Sequence, residues 1–268
     1  MIYWEKRITE IFAVAEKELM LSLRYKLSFF LTALINPILG VIPFFLIYYG
    51  FLHFTGTTEF AGLNRGNYIV FLLLGMLVYT FFNDGFNVFS SKFLNEKYWK
   101  TIEAVFISPI SYMAIVIGVG LSEIVRLIPT LIVFVLVASF FEIPSIISLF
   151  FAIVMLFMLF LFCCSIGLIH GAAALSNENF LPIFGYAFMG LSLLSCFFYP
   201  IGLIPDILKP LVEINPLYHG VTFIRDAWIL NQISFVSFFY VLAFMIVGLI
   251  LSVQIFTKVW KTLGVEGY

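Results

Sequence analysis

Six apolar runs, at about residues 27–52, 68–90, 112–140, 146–175, 181–198 and 233–256, occupy most of the chain and limit what it can fold into. A helix rises ~1.5 Å per residue, so ~20 apolar residues cross a ~30 Å hydrocarbon layer. The runs meet that length, the one at 181–198 only marginally. Backbone polar groups in lipid must be bonded within their own segment, and no ten-residue alternating barrel pattern is present, so the spans are read as helices. The expected fold is an all-α integral membrane protein of six transmembrane helices, forming one domain over residues 1–268. Only 11% of residues are charged, against roughly 25% in soluble domains, and this excludes a soluble fold.

Basic residues fix the orientation. Lys6, Arg7, Lys17, Arg24 and Lys26 precede the first span, Lys92, Lys97 and Lys100 follow the second, and Lys258 and Lys261 follow the last. The opposite side holds only Arg65, Lys209 and Arg225, and Arg126 falls inside a span. The positive-inside rule therefore places both termini in the cytoplasm and the chain in the cell (inner) membrane. The N-terminus lacks the short apolar stretch and small-residue site of a cleavable signal and is expected to stay attached. Cys163, Cys164 and Cys196 lie within apolar runs and are read as packing residues.

Ahead of the first span, Trp4, Ile8, Ile11, Phe12, Ala15 and Leu19 recur at helical spacing while Lys6, Glu10 and Lys17 take another face. Residues 1–26 are thus an amphipathic helix in the cytoplasmic interface, or an extension of the first span packed on nothing in particular. Pro37 and Pro43 predict a bend in that span. The loop at 53–67, with Gly56, Gly62 and Gly66, reads as a connector, and the short turns at 142–145 and 176–180 make their flanking spans neighbours. Residues 92–108, with Glu96, Lys97, Lys100 and Glu103, read as a short cytoplasmic helix ending before Pro109. Residues 199–232 are too apolar for an ordinary loop and too broken for a span. Pro200, Pro205, Pro210 and Pro216 divide them into pieces, about 206–213 and 216–230, short enough for re-entrant helices dipping into the outer leaflet.

Two blocks now carry a resemblance: Lys100-Thr101-Ile102-Glu103-Ala104 followed by Ser108-Pro109-Ile110-Ser111, and Phe198-Tyr199-Pro200, Ile204-Pro205, Asn215-Pro216-Leu217 and Arg225. In order and placement they resemble the transmembrane permease subunits of the type-2 ABC exporter family, over nearly the whole chain. Lys100 departs from the pattern, standing where the family often has glycine. The resemblance implies a separate ABC ATPase that holds ATP and Mg, docked on residues 92–108 through Glu96, Lys97, Lys100 and Glu103. It also implies a second permease subunit, expected as a homodimer in the lipid bilayer, and no nucleic-acid partner. Independently, no G-x-x-x-x-G-K followed by Ser or Thr occurs, so the chain lacks the phosphate cradle of an ATPase and is expected to bind no cofactor itself.

Charges within the spans are the remaining candidates. Glu123 and Arg126, three apart, share a helix face, and each would cost about 2.5–3.5 kcal/mol if presented to lipid. They line a pathway or form an intrahelical pair that fixes packing, with packing favoured. Asp84, beside Asn83 and Asn87, lines an inner vestibule or bonds locally. His170 reads as a packing residue and no metal site is implied. Small residues at Gly167, Gly171, Ala172, Ala173 and Ala174 allow close helix approach, within the chain or in a dimer. The expected function is outward movement of an amphipathic, drug-like or lipid-linked substrate. The alternatives are an ATP-independent carrier or channel and, more remotely, a membrane-embedded enzyme, for which no H-E-x-x-H or paired-aspartate motif is found.

Overall fold

The computed structural model describes residues 2–55, 59–60, 63–64 and 67–266. The loop residues Gly56, Gly62, Arg65 and Gly66 lie outside them, as does the Trp4 side chain. In chain order the elements are α1 (Ile2–Leu23), α2 (Lys26–Phe30), α3 (Asn36–Thr55), β1 (Glu59–Phe60), β2 (Leu63–Asn64), α4 (Tyr68–Tyr98), α5 (Ile102–Ile107) and α6 (Tyr112–Phe141). They continue with α7 (Ile146–Ser176), α8 (Leu181–Leu193), α9 (Lys209–Ile214), α10 (Pro216–Arg225) and α11 (Phe235–Glu266). The two strands form only a two-residue antiparallel ladder, so the architecture is helical.

Among the described residues, five stretches are long and apolar enough to cross a bilayer: Lys26–Ile47, α4, α6, α7 and the Phe235–Thr262 part of α11. The chain is therefore a multi-pass membrane protein. The marginal run at 181–198 differs from the others. It is helical only over α8, about 20 Å at 1.5 Å per residue. Hydroxyls explain the stop: Ser195 Oγ donates to the Leu191 carbonyl at 2.6 Å and Tyr199 Oη to that of Leu193, taking acceptors that a continuing helix would use. Cys196 then adopts a left-handed φ of 54° and the chain turns away.

At the centre, α4 packs along α7, and α11 covers the other side of α7. A Cβ on Gly167 would come within 2.4 Å of the Gly85 carbonyl oxygen, and one on Gly171 within 2.8 Å of Phe89 Cβ. The small residues of α7 thus serve contact within the chain. The α6 helix packs on α4 and carries α1, with Gly118 facing Val14 and the Ile11 carbonyl. So α1 has a definite seat.

Just before Pro37, one of the two prolines expected to bend this span, lies a π-helical turn at Leu31–Ile35, and Pro43 falls inside α3. Pro37 has no N–H to offer the Ala33 carbonyl four residues back. The Thr130 hydroxyl of α6 supplies the missing donor. Ser111 and Ser145 N-cap α6 and α7, accepting from Ala114 N and Ser148 N at 3.1 Å each.

Residues 92–108 do not form one helix. Lys92–Tyr98 are the last turns of α4, which ends where Thr101 N bonds to the Glu96 carbonyl (2.9 Å) and Lys100 N to that of Lys97 (3.1 Å). This double closure requires a left-handed residue, and Lys100 takes it at φ 58°. The six-residue α5 follows.

At the opposite end, α10 packs against the middle turns of α7, where a Gly220 Cβ would meet Leu159 at 2.5 Å. A second π-helical turn, Asp226–Leu230, ends at Asn231 with φ 53°. Asn231 Oδ1 accepts from Ser145 N at 2.7 Å and Trp228 Nε1 donates to the Glu142 carbonyl at 3.0 Å, which ties this segment to the α6–α7 turn.

Candidate functional site

A cleft of about 450 Å³ lies among α1, α2, α4 and α6 in the half of the molecule that carries most of the basic residues. One wall carries polar residues at intervals of three or four: Glu18 and Ser22 of α1, Tyr25 at the break before α2, Ser28 of α2 and Thr32 of the π turn. Facing it, α4 presents Asp84, Asn87, Ser91, Lys92 and Asn95 at helical spacing, and Trp99 follows directly after its end. The α6 helix closes the cleft with Ser122, Glu123 and Arg126. From Asp84 to Asn95 the α4 wall is about 17 Å long at 1.5 Å per residue.

Three of the intramembrane candidates meet at the deep end. Arg126 Nε donates to both Glu123 carboxylate oxygens at 3.0 Å, and its Nη2 lies 2.9 Å from Asp84 Oδ2 and against Glu123. Asn83 Nδ2 donates to Asp84 Oδ1 at 3.2 Å and Asn87 Nδ2 to the Asn83 carbonyl at 2.9 Å. The intrahelical Glu123–Arg126 pair exists, but it is half of a link between α6 and α4. Asp84 lines the cleft and bonds locally at once.

The rim holds a second charge group. Glu96 Oε1 is 2.8 Å from Lys17 Nζ and 3.5 Å from Lys92 Nζ; Lys92 also pairs with Glu18, and the Thr101 hydroxyl donates to Glu96. This group joins α1 to the end of α4. Glu10 adds a bond at 3.2 Å from Ser111 N at the start of α6.

The four residues expected to face an ATPase therefore divide. Glu96 is buried inside the rim group, and Lys97 pairs with Glu178 of the α7–α8 turn at 2.9 Å. Lys100 and Glu103 are exposed. Beside them stand Tyr98, Trp99 and Ile107, with Ile107 84% exposed.

The residues of the second sequence block gather at the other end of the molecule, away from the cleft. Pro200 and Pro205 precede short 3-10 turns, and Pro216 opens α10. Asn215 Oδ1 caps α10 by accepting from Leu217 N at 3.0 Å, while its Nδ2 donates to Ser195 Oγ at 3.0 Å. Arg225 is buried. Its Nη1 donates to the Cys196 carbonyl at 2.9 Å, its Nη2 to those of Phe197 and Phe71, and Cζ sits 3.4 Å from the Phe71 ring centroid. Burial lowers its pKa to about 9, so it keeps its proton at neutral pH. Gly75 leaves room for this junction, since a Cβ there would fall 1.8 Å from the Phe197 oxygen. Asn215 and Arg225 thus hold the turn after α8 against α4 and α10.

Sequence reading placed Lys17 on the polar face of the N-terminal helix but did not single out Glu18, Ser22, Tyr25, Ser28 or Thr32. The signal was available as a polar period through residues 18–32, but the apolar run beginning at Leu27 masked it. His170 is stacked between Phe86 (4.6 Å) and Phe184 (5.3 Å), a packing environment. Among the described residues no group of three or more His, Cys, Asp or Glu side chains is arranged to hold a metal ion.

A family model described as ABC-2 type transporter matches residues 9–229, which take in the cleft and the Asn215–Arg225 junction. Among curated proteins, none matches the chain.

Proposed function

The chain belongs to the ABC-2 type transporter family as a membrane transport subunit, and from that premise we propose that it is the permease of an ATP-driven exporter, moving an amphipathic substrate outward across the cell membrane. ATP and Mg are held by a separate ABC ATPase at the basic end, which is cytoplasmic together with both termini. A second copy of this permease completes the transporter. In this reading α8 and the turn after it make a sixth crossing, and α9 and α10 are re-entrant helices of the outer leaflet.

The observation that carries the reading is the turn at Tyr98–Ile107. It exposes Tyr98, Trp99, Lys100, Glu103 and Ile107 together, while Glu96 and Lys97, on the same helical turns, are fastened to α1 and to the α7–α8 turn. An exposed aromatic and apolar surface backed by ion pairs suits a docking element that must transmit force to the membrane helices.

The test is copurification of the tagged chain with its ATPase. Wild type should retain the ATPase, and Trp99→Ala combined with Glu103→Lys should release it while the permease stays folded. Substitution of Glu96 is unsuitable here, because its carboxylate serves an intrachain contact. Uphill transport by vesicles carrying the chain alone would refute the reading in favour of an ATP-independent carrier.

A further inference from the structure

The charges of the cleft do not balance. At the rim, Lys17 and Lys92 face Glu18 and Glu96, one cation for each carboxylate. At the deep end Asp84 and Glu123 share one guanidinium, that of Arg126. With every group ionised, one negative charge is left over between Asp84 and Glu123, and such a charge is costly unless a proton or a counter-charge joins it. The Asp84 side chain keeps 20% of its surface open, so its carboxylate can be reached from the cleft.

The lining also argues against an anionic ligand. Both basic groups, Lys92 and Arg126, are already engaged by carboxylates, which leaves no spare cation for a phosphate. Leu21, Phe29 and Val119 give the cleft an apolar side, and the exposed Trp99 ring stands at its mouth, where an aromatic face attracts a cation. The volume of about 450 Å³ is that of a drug-sized site.

We propose that this cleft, within a single permease chain, binds an amphipathic monocation whose charged head lodges beside Asp84 and whose apolar body lies along Leu21, Phe29 and Val119. The proposal narrows the cargo class and rests on the exporter reading only in taking the bound cation to be cargo; the site itself stands on the cleft geometry.

The experiment uses the full chain in phosphatidylcholine nanodiscs and two probes of equal shape and opposite charge, tetraphenylphosphonium and tetraphenylborate, with dodecyl phosphate as a lipid-phosphate control. Tetraphenylphosphonium should bind saturably, at least about tenfold tighter than the borate or the phosphate, as expected of a specific charge pair. Asp84→Asn should remove that preference, Asp84→Glu should restore it, and Glu213→Gln, exposed at the other end of the molecule, should leave it unchanged. Should Asp84→Asn fold poorly, Thr32→Trp, which fills the cleft from the opposite wall, must abolish phosphonium binding. Equal affinity for phosphonium and borate, an unaltered Asp84→Asn, retained binding by Thr32→Trp, or displacement by sodium at the phosphonium concentration would each overturn the proposal. Copurification with the ATPase separates the two readings. A chain that binds the cation without any ATPase keeps the site and loses the exporter, whereas an ATPase-bound chain indifferent to the cation keeps the exporter and loses the site.

Discussion

Arg225 offers the sharpest test of how the end remote from the cleft is held. Replacing it with Met leaves the Cys196 and Phe197 carbonyls buried without their donor. Each unmade bond costs about 1–3 kcal/mol, which makes about 2–6 kcal/mol for the pair. Relief from burying a cation offsets part of this, but the arrangement is a charge with partners that remain, the case in which removing one side is destabilising. A net loss of about 3 kcal/mol is expected. At about 2–4 °C per kcal/mol for a chain of this size, the full-length protein in detergent should melt about 6–12 °C lower by tryptophan fluorescence. Arg225→Lys keeps a cation with N–H donors but loses the planar fork that reaches both carbonyls at once, and should fall about midway. Gly75→Ala attacks the same junction from α4, with its Cβ 2.6 Å from Arg225 Nη2 as well as against the Phe197 oxygen, and should cost about 1–3 kcal/mol. Because both changes break one junction, the double variant should lose less than the sum of the singles. Arg225→Met melting within about 2 °C of wild type, or strict additivity with Gly75→Ala, would refute the reasoning.

Lys100→Gly should raise the melting temperature by about 1–4 °C, because glycine occupies a left-handed φ without the roughly 1 kcal/mol penalty a lysine bears there; a fall would show that the turn draws stability from the lysine side chain. Glu96→Gln should loosen α1 from α4 by about 1–2 kcal/mol, discounted for the half-exposed Lys17, and trypsin should then cut faster at the exposed Arg24; an unchanged cleavage rate would refute this. Gly118→Leu has no room beneath Val14 and the Ile11 carbonyl, so amide hydrogen exchange should accelerate across residues 8–20, and protection equal to wild type would show that α1 is held mainly by its ion pairs.

The spans were legible because an apolar run must be long enough to cross a bilayer, and α6 and α7 begin and end close to where their runs do. The end of α8 was not, since Ser195 and Tyr199 act by taking carbonyls, a local competition that a hydropathy average hides. The break after α4 was obscured because a lysine occupies the position where glycine would have announced a helix end. Glu123 and Arg126 were legible as a pair from their spacing of three. The third member, Asp84, lies on another helix, and no local pattern in the sequence specifies which face of α4 meets α6. Asn215 and Arg225 entered the reading through the family resemblance, yet their partners are main-chain groups and one hydroxyl, invisible to any motif of side chains.

The last two turns of α4 do three things at once: Lys92, Asn95 and Trp99 line the cleft, Glu96 and Lys97 anchor α1 and the α7–α8 turn, and Tyr98 with Trp99 is exposed toward the proposed ATPase. Residues three and four apart on a helix move as one body, so a push on Trp99 cannot leave Asn95 and Lys92 in place. It must shift the mouth of the cleft, break the Glu96–Lys17 and Lys92–Glu18 contacts, or carry α1 along with them. In the first two cases the cleft widens or loses its neutralised rim while the excess negative charge at Asp84 and Glu123 stays fixed on α4 and α6. A cation held at the deep end would then be weakened by rewetting of the site. ATPase docking and cation release would accordingly be coupled through a single helix end, and the coupling must be reciprocal, so bound cation should in turn alter the ATPase affinity.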